Sequence, residues 1–427
     1  VSLASGATQS GFGRTGTVDW DTASIKTGDF TGASGKGYFV NTTSGTITAT
    51  LPASPTAGDI VGLKDYALTF DTNSMFIGRN GSPINGATGT TLEISTEGAT
   101  IMLVYVDGVK GWVPTQDDAS ALIAVSPTYI AATGGTPCSG TISGDFKIHK
   151  FTGPGTFCVS AVGNPAGSDT VDYLIVAGGG GGGSEHGGAG GAGGYRESPG
   201  TASGCYAVSP LGVAPAVALP VSATPYAIVI GAGGAGSTSP SFPGVPGADG
   251  LVSSFSTITS TGGGKGAGGN PNPPGGPGGS GGGGGGNAPT HTGGTGNTPV
   301  VSPAQGTNGG DGNPDNSRGG GAGGGATTVG SAASSCGATG GAGATTSISA
   351  TPTAYAGGGG GGGCIVGGTG GTGGGGAGGP GGPAPSPARN GFIGTINTGG
   401  GGGGGGNNYG YGGNGGSGII YIRYKFQ

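Results

Sequence analysis

The stretch Val171-Asp-Tyr-Leu-Ile-Val-Ala-Gly-Gly-Gly-Gly-Gly-Gly183 runs from an apolar segment straight into six consecutive glycines. Near the other end of the chain, Gly418-Ile-Ile-Tyr-Ile-Arg-Tyr-Lys-Phe426 runs out of glycine into a second apolar segment. Short apolar runs rich in β-branched and aromatic residues predict strands. We therefore expect these two strands to pair in one small sheet that holds both ends of the glycine-rich region between them.

The glycine-rich region admits three physical interpretations. Its runs lie at residues 178–183, 281–286, 357–363 and 399–406, separated by inserts rich in Ser, Thr, Pro and Asn. Collagen requires glycine at every third position without interruption, and these runs break that rule. A flexible linker is the second interpretation, because Gly/Ser tracts usually behave as coils. The bracketing strands and the aromatic or Cys-containing inserts favour the third, a bundle of polyglycine II helices.

A polyglycine II helix leaves its N–H and C=O groups pointing outward, so only a neighbouring helix can satisfy them. Without Cβ atoms, such helices approach closely enough for backbone hydrogen bonds between them. The core of the bundle is then backbone. A larger side chain at an inner position is expected to clash with a neighbouring helix.

Further strand signals precede and interrupt the glycine-rich region. Phe146-Lys-Ile-His-Lys-Phe151 and Thr156-Phe-Cys-Val159 are separated by Thr152-Gly-Pro-Gly155, which predicts a hairpin. Tyr226-Ala-Ile-Val-Ile230 is predicted as an internal strand of the same sheet.

The first part of the chain is poorer in glycine, with 26 of the 117 glycines in residues 1–177. Between residues 30 and 118, β-type runs alternate with turn signals, and Asp107-Gly108 supplies a tight turn toward Gly111-Trp-Val113. This spacing predicts a small β-sandwich or barrel, and we favour the sandwich. The full prediction is an all-β protein with a connector from an upstream module at 1–29, a β-sandwich module at 30–118, a linker at 119–137, and a β-anchored polyglycine II domain at 138–427 with strands at 146–177, 226–230 and 418–427.

Composition argues against several classes of function. Glycine and proline, at 117 and 29 residues, make up about a third of the 427-residue chain, which is atypical of a globular enzyme. Charged residues are 8% of the chain, and a net charge of -5 offers no basic stripe for phosphates. No stretch approaches the roughly 20 apolar residues that cross a bilayer. The sequence predicts neither nucleic-acid binding nor membrane insertion.

Catalytic and cofactor motifs are not evident. Gly-x-Gly-x-x-Gly recurs, but at this glycine content it is background. His149, His186 and His291 are far apart in the sequence and have no paired nucleophile. His149 alternates with core-facing residues and is expected to face solvent or to be hydrogen-bonded. We predict a protein that is not an enzyme and holds no cofactor.

One segment resembles a calcium loop only in part. Asp311, Asn313 and Asp315 occupy positions 1, 3 and 5 of the pattern, but position 12 is Ala322, which supplies no carboxylate. A turn is therefore the favoured interpretation, and calcium binding is the alternative.

Cysteines and asparagines give weaker signals. Cys138 and Cys158 flank the first strand of the predicted hairpin and are the predicted disulfide. Cys205, Cys336 and Cys364 lie in inserts, where two of the three can pair. Asn41-Thr-Thr43 and Asn80-Gly-Ser82 fit the N-glycosylation pattern.

Exposed aromatic side chains are the predicted binding groups, because rings on rigid loops offer contact area at low entropic cost and stack on sugar faces. The candidates are Tyr195 with Arg196, Tyr206, and the pair Tyr409 and Tyr411 in the insert Asn-Asn-Tyr-Gly-Tyr. The alternative, at least as well supported for each, is that these rings cap glycine helices structurally.

Five quoted segments together resemble the glycine-rich domain of bacteriophage tail fibres and adhesins, over residues 146–427. They are Phe146-Lys-Ile-His-Lys-Phe-Thr-Gly-Pro-Gly-Thr-Phe157, the opening stretch 171–183, Ile228-Val-Ile-Gly-Ala-Gly-Gly-Ala-Gly236, Tyr355-Ala-Gly-Gly-Gly-Gly-Gly-Gly-Gly363 and Gly415-Gly-Ser-Gly-Ile-Ile-Tyr-Ile-Arg-Tyr424. Residues 30–118 also resemble a β module that precedes such domains in fibres of aquatic phages. The supporting motifs are Gly35-Lys-Gly-Tyr-Phe-Val-Asn41, Leu51-Pro-Ala-Ser-Pro-Thr-Ala-Gly-Asp-Ile60 and Leu103-Val-Tyr-Val-Asp107.

The resemblance implies an extracellular virion protein that recognises a host cell-surface glycan or outer-membrane protein through loops on the glycine scaffold. It also implies self-association, as a homotrimer or a fibre, and contact with other tail proteins. It transfers no catalytic motif and no individual ligand-binding residue. The alternative is a structural subunit of an extracellular helical fibril in which residues 1–29 bridge neighbours, and a surface depolymerase ranks third.

Overall fold

The structure is a computed structural model in which the described residues form strands, turns and one 3-10 helix, Pro387–Arg389. It describes residues 18–89, 91–115, 127–164, 167–204, 206–239, 243–270, 274–287, 291–314, 319–334, 337–382 and 387–427. The fold is all-β, as the sequence predicts. The chain divides into two compact units, Val1–Ser126 and Pro127–Gln427. No helix in the described ranges has the length and apolar character needed to cross a membrane.

The first unit contains two sheets, ordered β1-β3-β5-β8-β9 and β2-β4-β6-β7. Their strands are β1 (Asp19–Lys26), β2 (Phe30–Thr31), β3 (Lys36–Val40), β4 (Ile47–Thr50), β5 (Ile60–Asp65), β6 (Met75–Gly78), β7 (Thr91–Ile94), β8 (Thr100–Asp107) and β9 (Gly111–Pro114). From β1 to β6 the chain alternates between the sheets, so β1, β3 and β5 are parallel, as are β2, β4 and β6. The remaining pairs are antiparallel, including β8 with β9 across the predicted Asp107-Gly108 turn.

Both sheets of the first unit contribute to one hydrophobic cluster. Val40, Leu63 and Leu103 come from the five-stranded sheet, and Met75 and Ile77 come from the other. Trp112 on β9 is fully buried in the same cluster. The apolar residues of these strands therefore lie on the covered face of each sheet, and the polar residues that alternate with them lie on the other face.

The predicted connector at 1–29 is corrected by β1, which pairs in parallel with β3. This strand has no clear apolar pattern because β1 is the edge of its sheet and all eight of its residues are partly or fully exposed. Residues 1–17 lie outside the described residues.

The second unit has two main sheets. We call the sheet ordered β11-β12-β22-β14-β15 the anchor sheet and the sheet ordered β10-β13-β17-β18-β19 the flanking sheet. A short strand, β16, also pairs with β14, and β20 pairs with β21 in a separate hairpin. The strands are β10 (Ala131–Thr133), β11 (Thr141–Ser143), β12 (Phe146–Phe151), β13 (Gly155–Ala161), β14 (Thr170–Val176), β15 (Tyr195–Glu197), β16 (Leu219–Pro220), β17 (Pro225–Val229), β18 (Ser253–Phe255), β19 (Ile258–Ser260), β20 (Ala344–Thr346), β21 (Thr353–Tyr355) and β22 (Ile419–Lys425).

The anchor sheet joins the two ends of the glycine-rich region. Its last strand, β22, lies between β12 and β14 and is antiparallel to both. The pairing of the final strand with the strands that precede the glycine runs is confirmed.

Three expectations about this unit are corrected. The segments β12 and β13 form no hairpin, because the chain crosses at residues 152–154 from the anchor sheet to the flanking sheet. Strand β17 belongs to the flanking sheet and not to the anchor sheet. Strand β10 falls inside the predicted linker at 119–137 and pairs with β13, while residues 116–126 lie outside the described part.

The two sheets of this unit share a buried cluster that explains the crossing. Phe157 and Phe255 come from the flanking sheet, while Tyr173, Ile422 and Tyr424 come from the anchor sheet. His149 is fully buried beside this cluster, where it hydrogen-bonds the Gly134 carbonyl at 2.7 Å and the Tyr424 hydroxyl at 3.1 Å. Burial lowers the pKa of His149. Of the two alternatives expected for His149, hydrogen bonding is confirmed and exposure to solvent is wrong.

Backbone hydrogen bonds link the glycine runs with a period of three residues. Successive N–H groups of the run 178–185 donate in rotation to three other segments, at 2.9–3.1 Å. The acceptors, in order, are the carbonyls of Leu251, Gly416, Gly191, Ala248, Gly413, Gly188, Val245 and Gly410. Residues 188–194 donate in the same way to segments 261–267, 321–324 and 399–402. Each of these runs is thus surrounded by three neighbours that accept its N–H groups.

The glycine runs have no room for side chains on their contact faces. A Cβ atom at any position of 178–183 would lie less than 3.0 Å from a backbone oxygen of another run, a separation that real Cβ atoms essentially never show. Alanine appears where the period of three leaves space, at Ala189 and Ala192 in one run and Ala232 and Ala235 in another. The core between these runs is therefore built from backbone.

Candidate functional site

Several turns between glycine runs gather at one end of the second unit, which we call the loop end. The run 178–183 leaves the anchor sheet after β14, turns at 184–187 and returns to β15. At this turn the Glu185 N–H donates to the Gly410 carbonyl at 3.1 Å, and the Gly286 N–H donates to the His186 carbonyl at 2.9 Å. The loop end is therefore remote along the runs from the strands that anchor them.

Two of the predicted binding residues, Tyr409 and Tyr411, lie at the loop end in the turn 407–411. Their side chains are 50% and 37% exposed. The backbone is left-handed at Asn408 and Tyr409, with φ of 54° and 77°. A left-handed conformation is unfavourable for a side chain as large as tyrosine, so surrounding contacts must hold it.

Glu185 holds this turn from one side. Its carboxylate accepts hydrogen bonds from the N–H groups of Asn408 at 3.1 Å and Tyr409 at 2.6 Å. The side chain is buried, with 6% of the residue exposed. Backbone donors to a buried carboxylate make strong hydrogen bonds because the acceptor is charged. Glu185 thus fixes the two strained residues.

Arg389 and Asn390 hold the same turn from the other side. The buried Arg389 guanidinium donates to the carbonyls of Gly382 at 2.6 Å and Asn408 at 3.4 Å. The Asn390 side-chain oxygen accepts the N–H of Tyr411 at 3.0 Å. The exposed tyrosines are therefore presented by a turn that is clamped at both ends.

Apolar side chains and a shallow depression border the clamped turn. A depression of about 330 Å³ is lined in part by Thr238, Ile393, Tyr411 and Asn414. Ile393 is 65% exposed, and its neighbour Phe392 is 61% exposed. This arrangement places an aromatic ring, an apolar flank and amide groups side by side. Such a surface can bind a ligand by ring stacking and hydrogen bonds, without a reactive group.

The other predicted binding residues are not at the loop end. Tyr195, on β15, is 1% exposed, and its hydroxyl donates to the Glu197 carboxylate at 2.7 Å. Burial raises the pKa values of Tyr195 and Glu197. Tyr206 packs against the buried cluster of Leu174 and Val176, where the Arg423 guanidinium lies 5.1 Å from the centre of its ring. Burial also raises the pKa of Tyr206. The predicted exposure is thus wrong for Tyr195, and Tyr206 is only partly exposed.

The reason for this error is visible in β15. Tyr195, the half-buried Arg196 and Glu197 follow glycine, and in the sequence they look like an insert. The structure makes them the edge strand of the anchor sheet, paired with Leu174, Ile175 and Val176. Arg196 is therefore also remote from the loop end.

Two buried acids of the anchor sheet, Asp172 and Glu197, were not predicted from the sequence to have a role. Asp172, on β14, is fully buried and accepts hydrogen bonds from the Ser198 hydroxyl at 2.7 Å and from Ser203, through its N–H at 2.7 Å and its hydroxyl at 2.5 Å. Glu197 accepts from Tyr195, Ser209 and Thr346. These acids tie the segment 198–212 to the anchor sheet. The sequence signal that could have identified Asp172 is its position as a charged residue inside the apolar run 171–177.

Both predicted disulfide partners are free thiols, and both are exposed. The prediction depended on a hairpin that does not form, and Cys158 lies on the outer face of β13 between the buried Phe157 and Val159. Cys205 and Cys336 lie outside the described residues. The pairing of Cys364 therefore stays a prediction.

The predicted calcium loop is partly described. The Asp311 carboxylate accepts the Gly293 N–H at 2.8 Å, and the Asn313 side chain donates to the Ser334 carbonyl. Asp315 lies outside the described residues. Within the described ranges, no three His, Cys, Asp or Glu side chains form a group that could hold a metal ion.

The side chains of both asparagines in the glycosylation patterns make hydrogen bonds, Asn41 through its oxygen and Asn80 through its nitrogen. The Asn41 side-chain oxygen accepts from the N–H and hydroxyl of Thr43, and the Asn80 amide donates to the Leu51 carbonyl at 2.9 Å. Asn41 is half-buried and Asn80 is exposed. Glycosylation at these positions stays a prediction.

Replacing Glu185 by Ala is expected to release the turn 407–411 while leaving the fold intact. The change removes a charged acceptor from two backbone donors, and hydrogen bonds to charged groups contribute roughly 1.5–3 kcal/mol each. Hydrogen exchange at the amides of Asn408 and Tyr409 should accelerate about thirtyfold or more. The exposed Glu97 in the first unit provides the matched control, Glu97→Ala. Unchanged protection at both amides would show that Glu185 does not hold the turn.

Comparison with known proteins gives a family for the second unit. A family model described as a glycine-rich domain matches residues 152–425. A search of curated proteins found no match. The family match begins at the crossing between the two sheets and ends in β22, so it spans the glycine runs and the last anchoring strand. Because this match covers more than half of the chain, the protein belongs to the glycine-rich domain family.

Proposed function

We propose that the glycine runs are polyglycine II helices and that their bundle is a rigid scaffold. Polyglycine II geometry repeats every three residues, so successive N–H groups point to three different sides. The period of three in the hydrogen bonds of 178–185 and 188–194 supports this assignment. The positions of Ala189 and Ala192, three residues apart, support it independently.

The function that this scaffold supports best is non-catalytic attachment, in a receptor-binding protein of the bacteriophage tail-fibre type. The ligand in this proposal is a glycan or an outer-membrane protein on the host cell surface. The observation that carries the proposal is the clamped turn 407–411, which exposes Tyr409 and Tyr411 at the loop end. Rigid aromatic side chains lose little entropy when they bind, which makes them effective binding groups.

The proposal places the protein on the outside of the virion, in the tail fibre, where it associates with itself and with other tail proteins. Its non-catalytic character is supported by the two buried acids of the anchor sheet, Asp172 and Glu197. Asp172 and Glu197 accept hydrogen bonds from Ser198, Ser203 and Ser209. Their carboxylates therefore hold the segment 198–212 in place.

The test is attachment of the fluorescently labelled full chain to a panel of aquatic Gram-negative bacteria. Tyr409→Ala combined with Tyr411→Ala is expected to reduce attachment at least about tenfold on strains that the parent binds, since aromatic anchors often contribute 2 kcal/mol or more. Tyr66→Ala is the control, because Tyr66 is 55% exposed in the first unit. Equal losses from both variants would contradict a site at the loop end.

Electron microscopy of the purified chain in its native assembly separates this proposal from a fibril subunit. Discrete tips, single or threefold, are the expected result. A continuous polymer built on one repeated contact would overturn attachment as the primary role.

A further inference from the structure

A cavity of about 570 Å³ opens beside the anchor sheet. Its floor is the face of β12 and β22 that carries Ile148, Lys150, Ile419 and Tyr421. Its walls are the β20–β21 hairpin, including residues 349–353, and the turn at 396–398. Its volume falls within the range of about 300–1,000 Å³ that is typical of small-molecule sites.

Most of the cavity floor is buried, because Ile148, Ile419 and Tyr421 belong to the cluster that packs between the anchor sheet and the β20–β21 hairpin. Leu174, Val176 and Tyr195, on β14 and β15, pack in a buried cluster with Ile348 of the β20–β21 hairpin. The opposite edge of the sheet is the short strand β11, whose one partner among the described strands is β12. Ile142 on β11 lines the cavity and is 62% exposed.

The lining is rich in groups that can both donate and accept hydrogen bonds. Hydroxyls come from Ser, Thr and Tyr side chains, and Asn397 adds an amide. The rings of Tyr355 and Tyr421 lie 6.1 Å apart at 61° to each other. Ile396, which is 66% exposed, adds an apolar group at the rim. Dense hydroxyl and amide groups beside apolar surface match the alternating polar and apolar character of a sugar ring.

One charge distinguishes the cavity from a neutral site. Lys150 is the charged residue among the described lining residues, and no carboxylate accompanies it there. The side chain of Lys150 projects from the same strand face as Ile148, whereas Lys147 lies on the opposite face over the ring of Phe426. An ammonium group without a carboxylate partner in the cavity favours an anionic ligand.

We propose that this cavity binds a sugar unit that carries a carboxylate, of the uronic acid class. Lys150 pairs with the carboxylate, and the hydroxyls and Asn397 hydrogen-bond the ring hydroxyl groups. The site is separate from the loop end, so it does not depend on the attachment function proposed above.

The first test is calorimetric titration of the full chain with glucuronate, glucose and acetate. Glucuronate is expected to bind with a Kd in the millimolar range, glucose about threefold to fivefold more weakly, as expected for one solvent-exposed charge pair, and acetate without detectable heat. Equal binding of glucose and glucuronate would overturn the role of charge. Binding of acetate as strong as that of glucuronate would overturn the sugar site.

Two variants locate the binding to the cavity. Lys150→Gln should remove the preference for glucuronate over glucose, while Lys147→Gln, on the other face of β12, should retain it. Thr351→Trp places a large side chain at the exposed rim and should abolish binding of both sugars. Thr259→Trp, at an exposed strand position outside the cavity lining, is its control.

Binding that survives Thr351→Trp, or a preference that survives Lys150→Gln, would refute the proposal. Failure of glucuronate to bind the parent chain would refute it as well. Attachment to cells through Tyr409 and Tyr411 is measured separately and is unaffected by either result.

Discussion

Gly190→Ala is expected to destabilise the second unit by at least about 3 kcal/mol. The added Cβ atom would lie less than 3.0 Å from the carbonyl oxygen of Gly180, which belongs to the backbone of a neighbouring run. Backbone that is hydrogen-bonded on several sides cannot move away as a flexible side chain can. Overpacking in a well-packed core usually lowers the free energy of unfolding by roughly 1–3 kcal/mol. For Gly190→Ala we expect a loss at the upper end of that range or above it. Scanning calorimetry should show a melting temperature lowered by about 5 °C or more.

Two control variants separate this clash from a general effect of changing glycine. Gly153→Ala, in the turn after β12, adds a methyl group that meets nothing within 4 Å and should leave stability within about 0.5 kcal/mol. Ala189→Gly, next to the test position, should cost only about 1–2 kcal/mol, from one buried methyl group and from the unfolded chain. A Gly190→Ala variant as stable as Gly153→Ala would contradict a backbone core.

Asp172→Ala is expected to cost about 3 kcal/mol or more, for a different reason. The fully buried carboxylate accepts three hydrogen bonds from Ser198 and Ser203, and Arg423 lies opposite in the pairing of β14 with β22. Removing the acceptor leaves buried donors without a partner, and removing a buried charge disturbs the charges around it. Unfolding of the variant, followed by calorimetry, should begin at least about 5 °C below that of the parent.

The loss should be local as well as global. Hydrogen exchange is expected to rise across residues 198–204, which Asp172 ties to the anchor sheet, while the amides of 178–183 keep their relative protection. Asp145→Ala is the matched control, because Asp145 is exposed in the turn before β12. Similar melting temperatures for the two variants would show that the Asp172 network contributes little to stability.

Much of the fold was predictable because the strong patterns are local. Apolar runs on either side of glycine identified β14 and β22, and their shared sheet followed from the need to close the glycine-rich region. The partners of β13 and β17 were not predictable. The alternating pattern of Thr156-Phe-Cys-Val159 indicates a strand with one buried face. It does not indicate which of the two neighbouring sheets the strand joins.

Only part of the candidate site was predictable, because the sequence shows which residues are aromatic but not where each insert lies in the fold. Tyr409 and Tyr411 were singled out as aromatic residues in an insert, and so were the buried Tyr195 and the partly buried Tyr206. Sequence pattern cannot distinguish a turn at the loop end from one near the anchor sheet, because glycine precedes both. The clamp by Glu185 was equally inaccessible, since 223 residues separate it from Asn408.

The period of three in the backbone hydrogen bonds restricts how this protein can change during evolution. Deleting one residue from a run such as 178–185 would turn everything beyond it by a third of a revolution, and each N–H group would then point at the wrong neighbour. Deleting three residues would preserve the orientation and only shorten the run. The turns between runs are not bound by this period of three, so their lengths can vary by any number of residues where no clamp such as that of 407–411 holds them. Natural variation should therefore appear inside runs in multiples of three residues and in the turns at any length.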